Sequence, residues 1–348
     1  MSTRGRARVR GAVRLADVAA RAGVGTSIVS RVLNDDPTVS IRPETRERIL
    51  RAARELDYRP HFLARALRSA RSTTLAMVVP NLTFPVNAAI LRGAERAAAA
   101  AGYALVISDT EDFRVGGEAW NRLLLEGRVD GLLIASGEAT DPSGKLFRDL
   151  EAAGTPFVLV NRRIAGIKPY VCLDDARGME LAVEHLVSLG HRRIAHIAGP
   201  ADADTARRRL QGFRRAMRTA GMAVPAETVV RASVDERDGF DAMRRLLELE
   251  RRPTAVAVWS LSAAVGALAA AHRHGVDVPG DVSVVAFHDA PMAEYLRPAL
   301  TTVRMPLYEL SATAVELLVK LVEGGRVTSA VVDSPAPVVV PRASTAAP

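Results

Sequence analysis

The sequence predicts an all-α headpiece followed by an α/β core of two lobes, each a parallel sheet wound with helices. Three observations carry this. The first sixty or so residues show short apolar stripes at helical spacing, broken by Gly and Pro. From about residue 72 onward, apolar runs alternate with Ala- and Leu-rich helical stretches, the strand–helix alternation of parallel sheets. The chain has 348 residues, too many for one compact core, and its second part of about 270 residues is generous for a single wound sheet.

Composition narrows the class further. Hydrophobic residues make up 48% and charged residues 25%, the balance of a globular protein. No apolar run approaches bilayer length. The basic N-terminus MSTRGRARVRGAVR is not followed by an apolar stretch, so neither a secretory signal nor a membrane anchor is read. The single cysteine, Cys172, excludes an intrachain disulfide and a cysteine metal site. A cytoplasmic location without a membrane partner is expected.

Charge is distributed unevenly. Residues 1–71 hold sixteen arginines, no lysine and seven acids, an excess of nine positive charges. The other 277 residues hold 31 basic and 32 acidic groups. The arginine bias is chain-wide, with Lys145, Lys168 and Lys320 the only lysines. Beyond residue 71, however, acids balance the arginines. A basic field confined to one segment attracts a polyanion through counterion release.

Taken in order, residues 1–12 are expected to be a disordered basic tail. Leu15, Val18, Ala19 and Ala22 recur at helical spacing, and Ala22-Gly23-Val24-Gly25 ends that helix. A second helix runs from Thr26 to Leu33, with Val29, Val32 and Leu33 on its apolar side. Asn34-Asp35-Asp36-Pro37 forms a loop. A third helix opens at Pro43, a favoured first-turn residue. It runs to about Leu56, with Ile49, Ala53 and Leu56 on one face. Tyr58-Arg59-Pro60 stops it, a short segment from His61 to Arg68 is compatible with helix, and Arg71-Ser72-Thr73 is a linker. Strands follow at Leu75–Pro80, Ala104–Ser108, Gly131–Ser136, Phe157–Asn161, Val171–Asp174, Ile194–Ala198, Ala255–Trp259 and Val282–Phe287. Short apolar segments near Val303 and at Val338–Val340 suggest that the chain crosses back between lobes.

Helix, Gly-containing turn and helix within about twenty residues make the helix-turn-helix pattern, whose second helix reads bases in the major groove. Thr26, Ser27, Ser30 and Arg31 are placed opposite Val29, Val32 and Leu33. Arginine can contact guanine with two parallel hydrogen bonds, and hydroxyls can serve bases or phosphates. Four polar residues on a surface helix are equally compatible with a solvated face; the adjacent basic field and third helix favour DNA.

These residues carry a resemblance. Residues 14–67 resemble the headpiece of the LacI/GalR family of bacterial repressors through LADVAARAGV, IVSRVLNDDPTVS, ETRERILRAARELDYRP and LARALR. The similarity continues through LRGAERAAAAAGY, VDGLLIAS, HLVSLGHRRIAHIAGP, RRRLQGF, VPGDVSVVAF and LTTVRMP. It implies that Thr26, Ser27 and Arg31 read bases and that Ser30 and Asn34 contact phosphates. It further implies that Tyr58, Ala64 and Leu67 contact DNA. His61–Arg68 becomes a hinge helix whose Leu67 wedges between base pairs, kinking the duplex. Three departures stand out: Arg14 replaces the usual Thr or Ser cap, worth roughly 1 kcal/mol; Gly25 replaces a Ser; and Ile41-Arg42 is an extension before the third helix.

The resemblance also implies a periplasmic-binding-protein-like core with a small molecule, possibly a sugar or sugar derivative, between its lobes. Ligands of wound sheets sit beyond the carboxyl ends of strands. Arg209, in RRRLQGF, is the foremost effector-binding residue, followed by Asp289 and His288, with Arg162, Asp175, Trp259, Ser260 and Phe84 completing the set. The cleft departs from the family. Trp259-Ser260-Leu261 stands where an Asn-Asp pair is common, His288 replaces an acid, and Phe84-Pro85-Val86-Asn87 lacks an aromatic pair. An unusual sugar, an acidic effector, or no effector are all compatible with this.

No cofactor or metal is called for. Gly23-x-Gly25-x-x-Ile28 resembles a dinucleotide fingerprint, but a helix precedes it where a strand is required. His272 and His274 lack an acid at metal spacing, and there is no nucleophile elbow, P-loop or HExxH. The expectation is therefore a homodimeric transcription regulator, not an enzyme, bound to near-palindromic operator DNA. No heptad-bearing tail follows Pro341, which favours a dimer over a tail-linked tetramer. A solute-binding protein or an enzyme on the same core is disfavoured by the headpiece. The expected domains are 1–12, 13–60 (helix-turn-helix), 61–71 (hinge and linker), 72–342 (two-lobed effector-binding and dimerisation core) and 343–348 (tail).

Overall fold

A computed structural model describes residues 13–33, 40–58, 72–109, 127–135 and 145–348. The chain divides into two compact units, Met1–Arg71 and Ser72–Pro348.

The first unit contains α1 (Leu15–Ala22), α2 (Thr26–Leu33) and α3 (Pro43–Glu55). Arg14 offers no side-chain cap to α1. The reciprocal half of a capping box compensates, because the Arg14 N–H donates to Asp17 Oδ2 at 2.7 Å. Gly23 ends α1 at φ 64°, a left-handed conformation open to glycine. Val18, Ala22, Val29, Val32 and Ile49 form a core with Ala19, Ala52 and Ala53. Arg48 Nε donates to Ala22 O at 2.8 Å, tying α3 to the end of α1.

The second unit holds two six-stranded sheets. The first comprises β1 (Thr74–Val79), β2 (Ala104–Asp109), β3 (Gly131–Ile134), β4 (Phe157–Val160), β5 (Tyr170–Leu173) and β11 (Ala330–Val332), in the order β11-β5-β4-β3-β1-β2. Every neighbouring pair in it is parallel. The second comprises β6 (Ile194–Ala198), β7 (Val229–Arg231), β8 (Ala255–Val258), β9 (Ser283–Phe287), β10 (Thr301–Arg304) and β12 (Val338–Val340), in the order β12-β10-β9-β8-β6-β7. Its edge strand β12 runs antiparallel to β10. Central strands such as TLAMVV and AVAV are buried throughout, because helices cover both faces and leave no solvent side to alternate toward.

Among the described residues, the α-helices of this unit are α4 (Pro85–Ala100), α5 (Lys145–Ala152), α6 (Asp175–Ser188), α7 (Asp204–Thr219), α8 (Glu236–Leu247), α9 (Leu261–Arg273) and α10 (Leu307–Val322). The chain passes from the first sheet to the second after β5, returns after β10 through α10 and β11, and crosses again to β12. The expected return between lobes is thus present. Gly93 lets α4 approach α10, since a Cβ there would stand 2.5 Å from Tyr308 O.

The expected tail at 343–348 is instead packed into the second lobe. Ser344 is 0% exposed; its carbonyl accepts from the Val284 N–H at 2.8 Å, and its Oγ donates to Val284 O at 2.6 Å. His191 Nε2 meets Ala346 O at 2.9 Å. These residues supply partners for β9 that the strand would otherwise lack, so the core unit runs to Pro348.

Candidate functional site

In the headpiece, α2 separates two faces. Val29 and Val32 are buried, whereas Thr26, Ser27 and Arg31 are exposed. These three are therefore free of the headpiece core and open to a partner. Ser30 departs from its expected place. It is 7% exposed and belongs to the buried side of α2, because it stands one helical turn before Leu33, which packs against the headpiece core. Tyr58 is half-buried against the headpiece core. Asn34, Ala64 and Leu67 lie outside the described residues.

The core unit contains a cavity of about 340 Å³ at the carboxyl ends of its strands. Phe84 follows β1, Arg162 follows β4, Trp259 and Ser260 follow β8, and His288 follows β9; all line it, as does Arg209 from α7. Asn81, Asn161 and His288 stand just beyond β1, β4 and β9 with positive φ of 51°, 54° and 72°. Asn and His tolerate this conformation better than most residues, and it turns each strand sharply.

Arg209 is nearly buried and fixed on three sides. Nε donates to Asp175 Oδ1 at 2.7 Å, Nη1 to Trp259 O at 2.7 Å and Nη2 to His288 Nε2 at 2.8 Å. Its guanidinium carbon lies 4.0 Å from the Phe287 ring centroid. A guanidinium has no acceptor to offer, so His288 Nε2 accepts and the ring proton sits on Nδ1. Burial, with Arg209 alongside, pushes the His288 pKa well below the usual histidine value, which keeps the ring neutral.

Two acids do not face the cavity as expected. Asp175, the first residue of α6, is fully buried and is taken by Arg208 and Arg209. Asp289 accepts from Thr302 Oγ1 at 2.7 Å, from Arg304 at 2.8 Å and from Arg342 Nη2 at 2.8 Å. It locks β10 to the C-terminal segment, and it is not among the cavity-lining residues. Neither role was legible in the sequence, because the partner arginines are distant in the chain.

Trp259 is 4% exposed. Its Nε1 donates to Ser233 O at 3.1 Å, and its ring packs on Gly199, where a Cβ would lie 2.5 Å from Cε3. Trp259 is thus a core residue that also borders the cavity. Ser260 caps α9 by accepting from the Ala263 N–H at 3.2 Å. Sequence reasoning missed Asn161, whose Oδ1 is buried without a partner; its signal was its place at the end of a strand, directly before Arg162. Among the described residues no group of His, Cys, Asp and Glu is arranged to hold a metal, and no helix is long and apolar enough to cross a membrane.

A helix-turn-helix headpiece joined to a two-lobed α/β core with a cavity at its strand ends defines a DNA-binding regulator carrying a small-molecule site. Residues 14–61 match the family described as bacterial regulatory proteins, lacI family, and residues 183–345 match a periplasmic binding protein-like domain. The chain is 35% identical over 304 residues to the ribose operon repressor of Escherichia coli (strain K12), covering 87% of this chain and 91% of that protein. Two solved structures are also similar. The transcriptional regulator CelR in complex with cellobiose matches at 31% identity and a TM-score of 0.70, covering 95% of this chain and 99% of that one. The lac repressor dimer bound to operator and the anti-inducer ONPF matches at 28% identity and a TM-score of 0.80, covering 97% and 100%. The chain belongs to the lacI family of transcriptional repressors, which are not enzymes.

Proposed function

We propose that this protein represses transcription as a homodimer on a near-palindromic operator, one headpiece reading each half-site, and that a small molecule in the core cavity sets its operator affinity. The observation that carries the DNA half is the division of α2, with Thr26, Ser27 and Arg31 exposed beside a buried Val29 and Val32. A twofold protein matches a twofold site. The similar lac repressor was solved as a dimer on operator, which supports this assembly. Asn34, Tyr58, Ala64 and Leu67 complete the DNA contacts in this reading. Ser30, being buried, serves through the helix rather than through an exposed phosphate contact. The site of action is the cytoplasm, where the DNA is.

The effector half rests on the cavity and on relatives named for ribose and solved with cellobiose. Ligand binding alters lobe closure and so shifts the population between DNA-binding states. Selection of bound fragments from a genomic library, followed by footprinting with wild type and Arg31→Ala, tests the proposal. A protected, near-symmetric site that weakens in the variant is expected; equal binding of both proteins to all sequences would sink it.

A further inference from the structure

The cavity holds donors and acceptors that no described residue satisfies, and the charges around it do not cancel. Arg162 Nε donates to Ala135 O at 3.0 Å. Its two terminal nitrogens find no acceptor among the described residues. The buried carboxylates nearby are already engaged. Asp175 is held by Arg208 and Arg209, and Asp204 by Arg208 and the Arg163 N–H. Burial first and then the neighbouring Arg209 lower the Arg162 pKa, and Asp204 and Asp175 offset this only in part. Among the described lining residues Asp202 is the sole acid, and it is exposed, where water screens it.

Two neutral groups add to the pattern. His288 is 3% exposed, and its Nδ1 has no partner. Asn161 Oδ1 is buried and accepts from nothing. The lining also includes the first turns of three helices, at Pro85–Asn87 of α4, Thr205 of α7 and Leu261–Ser262 of α9. Those ends carry partial positive charge. Most of the remainder, including Phe84, Ile90 and Val234, is apolar.

We propose that the cavity takes a small hydroxylated carboxylic acid, its carboxylate on the Arg162 guanidinium and a hydroxyl donating to Asn161 Oδ1. This deepens the reading of the cavity as an effector site and rests on it. A planar guanidinium fork matches a carboxylate, and one uncompensated cation suits a monoanion better than a phosphate dianion. A neutral sugar would bring no counter-charge to this half-buried cation.

The test is calorimetric titration of the full chain with D-gluconate and D-glycerate, their uncharged counterparts D-glucitol and glycerol, glucose 6-phosphate, and hexanoate, which lacks hydroxyls. At least one hydroxy acid should bind, at least about tenfold tighter than its polyol, since a hydrogen bond to a charged group contributes about 1.5–3 kcal/mol. Arg162→Gln should lose that preference for the acid. The same variant should also melt at or above the wild-type temperature without ligand, because it removes a cation that burial penalises and its neighbours offset only in part. Polyols binding as tightly as acids, hexanoate or glucose 6-phosphate binding more tightly than either hydroxy acid, unchanged acid affinity in Arg162→Gln, or no acid binding at all would overturn the proposal. An acid that binds through Arg162 without changing operator affinity supports the site assignment while refuting its role as effector.

Discussion

Arg209 Nη2 and His288 Nε2 are 2.8 Å apart, so a buried cation donates to a neutral imidazole where an ion pair would be the ordinary solution. Asp175 Oδ1, 2.7 Å from the same Nη2, supplies the counter-charge. His288 is left neutral, protonated at Nδ1 and bordering the cavity.

Removing that acceptor has a defined cost. His288→Ala leaves Arg209 Nη2 without its imidazole partner, and an unsatisfied buried donor costs about 1–3 kcal/mol. Urea denaturation should show a lower midpoint with an unchanged slope. A midpoint equal to wild type would mean that the Arg209–His288 contact contributes nothing to the fold.

At the headpiece, Arg31→Ala should reduce operator affinity about 5- to 150-fold, the range of one good base contact of about 1–3 kcal/mol. Loss should be confined to the operator and small on scrambled DNA. Gel-shift titration at fixed salt separates the two, because phosphate contacts alone would weaken both equally.

Asp289 is expected to matter for stability and not for ligand affinity. Asp289→Ala strips Arg342 Nη2 and Thr302 Oγ1 of their acceptor, while Arg304, 59% exposed on its side chain, adds little. A loss of about 3 kcal/mol follows for the more buried pair. Thermal melts and calorimetry with the same ligand check the two halves. A variant that keeps its stability but loses ligand affinity would return Asp289 to the cavity.

His196 makes the core sensitive to acid. It is fully buried on β6, stacked on Phe213 at 4.7 Å, and burial lowers its pKa from 6.5 to about 4. Between those values the unfolded chain binds more protons than the fold does. The stabilisation from the neutral ring is therefore complete above pH 6.5 and declines as pH falls toward 4, by up to roughly 3 kcal/mol. His196→Gln, which keeps a donor for Ala257 O, should flatten the dependence of melting temperature on pH in that window. An equally steep profile in the variant would assign the acid sensitivity elsewhere.

The fold was legible where the signal is local. α1, α2 and α3 follow from apolar spacing and from Gly23 and Pro43, and central strands such as β1, β4, β8 and β9 from uninterrupted apolar runs. The three-residue strands β7 and β11 were missed, being too short to display a period. The antiparallel pairing of β12 and the burial of Ser344 were not legible either, since both depend on which free edge or strand the returning chain meets.

For the site, the sequence by itself determined the residue types at the strand ends, the exposed Thr26, Ser27 and Arg31 of the second helix, and the replacement of an acid by His288. A helical period or a strand end is expressed over consecutive residues, so it can be read along the chain. Only the tertiary structure decided that Asp175 and Asp289 are consumed by arginines, that Ser30 is buried, that Arg209 is a fixed brace, and that the Arg162 terminal nitrogens meet no acceptor among the described residues. Arg209 meets Asp175 across 34 positions and His288 across 79. Charge pairing is set by distance in space, and helix packing decides which of several arginines reaches each acid.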